Sequence, residues 1–200
     1  RELEEVKAEL SEWENQKEPQ PERSEAVIRN RQRLDALGIP YQEFYKVIEF
    51  GNNLDEEDCN RLEEALLKMG ILDALVIDEQ YKEQVLHLEQ GCEDHYLFSC
   101  KNVQKELQPG KSLLDVLELN EEVNDIFSNQ RLTGILGSIA YDNESMITVA
   151  EDGTYRIGVL AGTVTGEYEA GFLGTKARER HRQAKMEACR QRIAELEEVL

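Results

Sequence analysis

Five glycines, Gly158, Gly162, Gly166, Gly171 and Gly174, lead into a segment with a basic start: Lys176, Arg178, Arg180 and Arg182. A glycine-rich loop opening a basic helix is a chemistry for holding phosphate, because free amides and the positive end of the helix dipole converge on the anion. The spacing argues against that use. A phosphate-binding P-loop needs GxxxxGK[ST], its lysine placed to reach the terminal phosphates. Gly166 and Gly171 have the interval, but Phe172 and Leu173 stand where Lys and Ser/Thr are required. Thr175 and Lys176 follow Gly174 without the rest of the loop, and GxGxxG is absent. The glycines then read as structural. Gly158 and Gly162 would sit in strands that another backbone approaches. Gly171 and Gly174 would turn the chain onto Thr175, a cap for the helix that follows.

A second set with chemical potential is His87, Cys92, His95 and Cys100, spaced H-x4-C-x2-H-x4-C. Four such ligands within fourteen residues could close a tetrahedral zinc site. The spacing matches no common zinc module, and Cys100 falls on the same strand face as Tyr96 and Phe98, where a core role serves it equally well. His181, the third histidine, lies in the basic helix. No GxSxG elbow or HExxH is present, so no catalytic residue, no cofactor and no metal is expected in this chain.

The net charge of −19 is unevenly placed. Residues 40–150 hold 23 acids against 8 bases, while 1–39 and 151–200 are nearly balanced. Such a middle repels a nucleic-acid backbone. DNA contact would be confined to Lys176, Arg178, Arg180 and Arg182, unless these form a solvated helix face or pair with acids. No run of about 18 apolar residues spans a membrane. Four cysteines suggest no disulfide framework, and reduced thiols in a cytoplasmic protein are the expectation.

The elements that must position these residues start with the two ends. Leu3, Val6, Leu10 and Trp13 are spaced 3, 4, 3; Met186, Cys189, Ile193, Leu196 and Leu200 are spaced 3, 4, 3, 4. Both are heptad seams. The first is acidic and the last basic through its first turns, which favours pairing. One seam at each end predicts a coiled coil that enters a globular domain and leaves it again, continuing past the residues present. The expected order is an arm over 1–37 with a proline break at 18–21, a globular domain over 38–174, and a second arm over 175–200. Ser24 should cap a helix that stops at Gly38.

Within the globular part, residues 41–50 read as extended, and 54–70 as a helix with acids in its first turn and Gly70 after its last. Residues 71–77 and 95–100 read as strands, and 79–91, 112–119 and 121–130 as helices. Residues 132–141 read as a glycine-containing strand or a helix-to-strand segment. Asp152-Gly153 should form a tight hairpin turn with both central residues at positive φ. The fold class is α+β.

Three stretches carry a resemblance: "GIPYQEFYKVIEF", "LEEALLKMGILDALVI" and "DGTYRIGVLAGTVTGEYEAGFLGTKARERHRQAKMEACRQRIAELE". Across about residues 38–197 the chain resembles the central part of the JetC family, the MukB-like SMC ATPases of Wadjet anti-plasmid systems. The resemblance implies a compact hinge that homodimerises between the halves of a long antiparallel coiled coil. It implies ATPase heads at the far end of the arms. It also implies a parent protein that translocates or extrudes DNA with other Wadjet subunits and licenses plasmid cleavage by a partner nuclease. No internal repeat is present, whereas ordinary SMC hinges have two pseudo-repeated halves. For the dimer surface, the apolar segments punctuated by glycine supply Gly134, Gly137, Ile139, Tyr155, Ile157, Gly158 and Gly162. The rival reading is a DNA-contacting or ligand-binding module mounted on a coiled coil.

Overall fold

Helix α1 (Glu2–Glu14) stops where Gln16 turns to a left-handed φ of 68°. Pro19 and Pro21, both buried, then hold the chain out of a helix. The computed structural model describes residues 1–99, 109–121 and 129–199. Helix α2 (Glu25–Leu37) starts at Ser24, whose hydroxyl accepts from the Val27 amide. It ends at Gly38, where a φ of 67° lets the Gly38 and Ile39 amides return to Asp35 and Leu34. Helix α3 (Glu56–Lys68) is built likewise. Asp55 caps it by accepting from the Asp58 amide, and Gly70, at φ 77°, closes it as Ile71 bonds back to Leu66.

The strands form three small sheets. Strands β1 (Gln42–Glu43), β3 (Leu75–Asp78) and β4 (Tyr96–Ser99) lie in the order β1-β3-β4, with β1–β3 antiparallel and β3–β4 parallel. Strands β2 (Ile48–Phe50) and β5 (Leu117–Leu119) pair antiparallel. Helix α5 (Asn129–Gly137) leads into the third sheet, β6 (Ala140–Tyr141), β7 (Ile147–Val149), β8 (Tyr155–Ile157) and β9 (Leu160–Gly162), in that order. Helix α4 (Lys82–Leu86) connects β3 to β4, and α6 (Thr175–Val199) is the long exit helix. The fold is α+β, with the two terminal helices packed together.

The main core gathers Phe44, Tyr45, Ile48, Leu62, Leu66, Leu72, Leu113, Leu136 and Leu173, from α3, α5, β2 and the turns and loops between the elements. A second cluster, Leu34, Ile39, Leu75, Ile77 and Val85, seats α2 on β3. Beside it Arg31, only 7% exposed, bonds the Asp94 carboxylate at 3.0 and 3.1 Å and Asp73 at 3.1 Å. Arg23 grips Asp73 with two bonds of 2.8 Å. A buried charge is tolerated only when paired and hydrogen-bonded in this way, so the network fixes the seat of α2.

Several local expectations are corrected. Residues 41–50 are two short strands broken by a 3-10 turn at Phe44–Lys46, because the Phe44 and Tyr45 amides bond Ala74 and Leu72 rather than a strand partner. The strand expected over 71–77 begins only at Leu75, since 71–74 is spent closing α3. The helix expected over 79–91 is a 3-10 turn plus α4. Residues 112–119 form a 3-10 turn at Leu113–Asp115, capped reciprocally by Ser112 and Asp115, and then β5. The helix expected over 121–130 lies mostly outside the described residues. The turn at Asp152-Gly153 is wider than expected. Only Gly153 has positive φ, at 87°, and the Gly153 amide reaches the Ala150 carbonyl across a five-residue loop.

Candidate functional site

Where the arm meets the globular domain, the glycine-rich segment finds its anions inside the chain. Glu63, fully buried on α3, accepts from the amides of Gly171 (2.7 Å), Phe172 (3.0 Å) and Leu173 (2.5 Å) and from the Tyr168 hydroxyl (2.7 Å). Glu64 accepts from the amide and hydroxyl of Thr165, and Asn60 from the Ala170 amide. Residues 165–173 are thus strapped along α3. At the start of α6, the Glu49 carboxylate accepts from the Thr175 amide and hydroxyl. Thr175 is therefore not the cap that its sequence position suggests. It is the first helical residue, and a carboxylate from β2 serves the free amide. The place where a phosphate would sit is filled by the protein's own carboxylates, and that fastens the arm to the domain.

His181 completes the junction. Its ring lies 6.1 Å from Trp13 of α1 and 5.2 Å from Phe172 of the strap, centroid to centroid. Burial and the nearby Lys185 ammonium hold its pKa below the usual 6.5, against the opposing pull of the Gly171 backbone and Glu63. Glycine is required at 171, where a Cβ would stand 2.4 Å from His181 Nδ1. Burial next to Glu63 raises the Tyr168 hydroxyl well above the ordinary phenol range.

Helices α1 and α6 pair antiparallel. Trp13, Met186 and Cys189 form a small core with Val6 and Leu10 against it. Leu3, Ile193 and Leu196 are half-buried, and Leu200 lies outside the described residues. Flanking ion pairs set the direction: Glu2 with Arg192, Lys7 with Glu197, and Glu14 with Arg190. These are exposed and contribute about 0–1 kcal/mol each, so the apolar seam carries the pairing.

The four bases expected to meet DNA are mostly occupied. Arg178 donates to the carbonyls of Phe172 and Tyr45 and pairs with Glu18. Arg182 holds Glu179 and the Trp13 carbonyl. Arg180 faces Glu56 at 3.6 Å. Lys176 is exposed and has no ion pair among the described residues. Arg178 and Arg182 thus help to fix the arm's root, while Lys176 and Arg180 stay on the surface.

The segments expected to self-associate separate into two. Gly134 and Gly137 lie buried in α5, out of reach of a second backbone, and Ile139 is 3% exposed. Tyr155, Ile157, Gly158 and Gly162 belong to the β8–β9 hairpin and are half-buried. Gly158 is not in a strand but in the turn, at φ 60°. Gly162 is in β9, where a Cβ would meet the Tyr155 ring, so the close neighbour there is a side chain rather than a backbone. Around the hairpin lie the exposed Val159, Leu160, Met146 and Ile147, which no single spacing rule would have marked. Next to them an apolar groove of about 300 Å³ runs between β4, α5 and β7.

His87 is exposed, with Nδ1 on the Glu83 carbonyl; Cys92 is half-buried, His95 is exposed beside Gly70, and Cys100 lies outside the described residues. Among the described residues no three His, Cys, Asp or Glu side chains group to hold a metal ion. No helix among them is long and apolar enough to cross a membrane.

No protein-family model matches the chain, and no curated protein matches it. Among solved structures the chain is similar to the SMC hinge domain of Geobacillus stearothermophilus, solved as an asymmetric dimer. The identity is 14% and the TM-score 0.48, over 98% of this chain and 86% of that one. It is also similar to the Smc hinge domain of Pyrococcus furiosus with an extended coiled coil, at 18% identity and a TM-score of 0.36, over 98% of this chain and 76% of that one.

Proposed function

We propose that the chain is the dimerisation hinge of an SMC-like ATPase of the MukB/JetC type, acting on DNA in anti-plasmid defence. In this reading the chain does no catalysis, and the nucleotide-binding heads and the other Wadjet subunits lie elsewhere in the assembly. The observation that carries it is the arm. Helices α1 and α6 pair antiparallel on an apolar seam, and their root is fixed to the globular part by Glu49, Glu63 and His181. A domain that holds both strands of one coiled coil at a set angle can pass a force or a rotation from arm to domain. A ligand-binding module needs no such brace. The glycine segment supports the same reading, because the Glu63 carboxylate takes the amides of Gly171, Phe172 and Leu173 that a bound phosphate would need.

The hinge should join two copies through the globular part. The described residues of the arm pair with each other within one chain, which leaves their seam no free face for a second copy. Light scattering over a range of concentrations tests this. A mass of two chains, kept when α1 and the C-terminal half of α6 that pairs with it are removed and strengthened by salt, is the expected result, since salt screens the repulsion between two acidic chains. A single-chain mass at high concentration in high salt overturns the hinge reading.

A further inference from the structure

We propose that two copies of this chain join by exchanging a knob: Val159, at the tip of the β8–β9 hairpin of each copy, fills the apolar groove between β4, α5 and β7 of the other. The proposal rests on the hinge reading and names the contact within it.

The knob is local chemistry without a local reason. Ile157 pairs with Leu160, so the loop has two residues, Gly158 and Val159. Gly158, at φ 60°, supplies the positive φ that such a loop needs at its first position. The second position ordinarily takes Asn, Asp or Ser. Valine there is 100% exposed, followed by Leu160 at 57%. Val159 does not stand alone: Leu160 follows it, and Met146 and Ile147 lie beside it across β7–β8, so the tip belongs to a contiguous exposed apolar patch of the kind that marks a contact outside the single chain.

The groove is its complement. Among the described residues Ile71, Leu97, Phe98, Ile135, Ile139 and Ile147 line it, and Ser138 and Tyr96 bring its polar side-chain atoms. Among the described residues the lining carries no charged side chain, in a molecule of net charge −19. Full exposure of Val159 shows that the chain's own hairpin does not fill it. Knob and groove are neighbours. Ile147 lines the groove and pairs with Ile157 in β8, and the Gly158 amide bonds the Met146 carbonyl. A two-fold axis between knob and groove then places each Val159 on the partner's groove and buries Met146 and Ile147 between them. Such a closed, self-complementary contact uses one patch twice and leaves no second face open to filament growth.

The test uses the full chain. Sedimentation should show a dimer, and Val159→Asp should weaken it by about thirtyfold or more, as loss of a central anchor does. Its melting as a monomer should be unchanged, because a fully exposed side chain supports no core. Joined substitutions Val159→Cys and Ser138→Cys should give a disulfide-linked dimer on mild oxidation, whereas either alone should not. A dimer that Val159→Asp leaves intact, with no cross-link from the double variant, overturns the knob and spares the hinge. A parent chain that stays monomeric overturns both.

Discussion

Residues 132–141 and 155–164 have much the same chemistry: apolar, β-branched, each interrupted by two glycines. They end in opposite environments. The first becomes α5 and β6 and is buried nearly throughout, with Leu136 at 1% and Ala140 at 0% exposure. The second becomes a hairpin whose tip stands in water and whose far end is strapped to α3 by Glu63 and Glu64. Burial is set by what lies across from a segment. Residues 132–141 meet the 3-10 turn at Leu113–Asp115 and the main core, through Leu113 bonding the Ile139 carbonyl. The hairpin pairs with β7 along one edge, and its Tyr155, Ile157 and Val164 only flank the main core. Glycine therefore means different things in the two places: burial inside α5 at Gly134 and Gly137, turn geometry at Gly158, and room for a ring at Gly162.

The comparison can be broken most forcefully by placing a charge in each stretch. Leu136→Asp should prevent folding, since an unpaired carboxylate would replace a core side chain whose truncation alone costs about 2–5 kcal/mol. Far-ultraviolet circular dichroism and thermal melting check this. Equal tolerance of Leu136→Asp and Val159→Asp would erase the distinction between the stretches. A smaller effect separates two glycines within the hairpin. Gly162→Ala should cost about 1–3 kcal/mol, because its methyl group would stand 2.3 Å from the Tyr155 ring. Gly158→Ala meets no atom within 4 Å and should cost only the left-handed backbone penalty, about 1 kcal/mol. Urea midpoints of the two variants give the order.

The smallest effect is that of pH at the strapped end. The folded-state pKa of His181 lies below 6.5, so between those values the unfolded chain binds the extra proton. The contribution of His181 is full above about pH 6.5 and is lost as pH falls towards the folded pKa. In His181→Phe the loss of stability between pH 7 and pH 5.5 should shrink relative to the parent chain, as read by melting temperature. An unchanged pH slope would mean that His181 plays no part in it.

The arm was the most legible part. Heptad spacing needs only the helix period and the apolar or polar character of each residue, and the seam around Trp13, Met186 and Cys189 follows it. Several helix ends were legible for the same reason: Ser24, Gly38 and Gly70 act through bonds to residues a few positions away, whereas the cap expected at Thr175 is replaced by Glu49 from β2. The P-loop mismatch was legible too, but not what takes the place of a phosphate. Glu63 stands 108 residues before Gly171 and Glu49 stands 126 before Thr175, among 42 acids with nothing local to single them out. The bases of α6 were read as a candidate DNA face because composition cannot reveal that Arg178 and Arg182 reach backbone carbonyls of the strap, the core and α1.

What short-range causes settle could be read from the sequence: the arm helices and their polarity, the helix ends at Ser24, Gly38 and Gly70, and the presence of a hairpin around Gly153, though not its turn type. Tertiary structure alone decided which apolar stretch is interior and which is surface. It also decided that a glycine loop with the look of an anion site is a joint, closed by carboxylates of the same chain. The physical reason is range. Caps and heptads are satisfied by neighbours along the chain, whereas burial and charge pairing depend on partners a hundred residues away that only the fold brings within hydrogen-bonding distance.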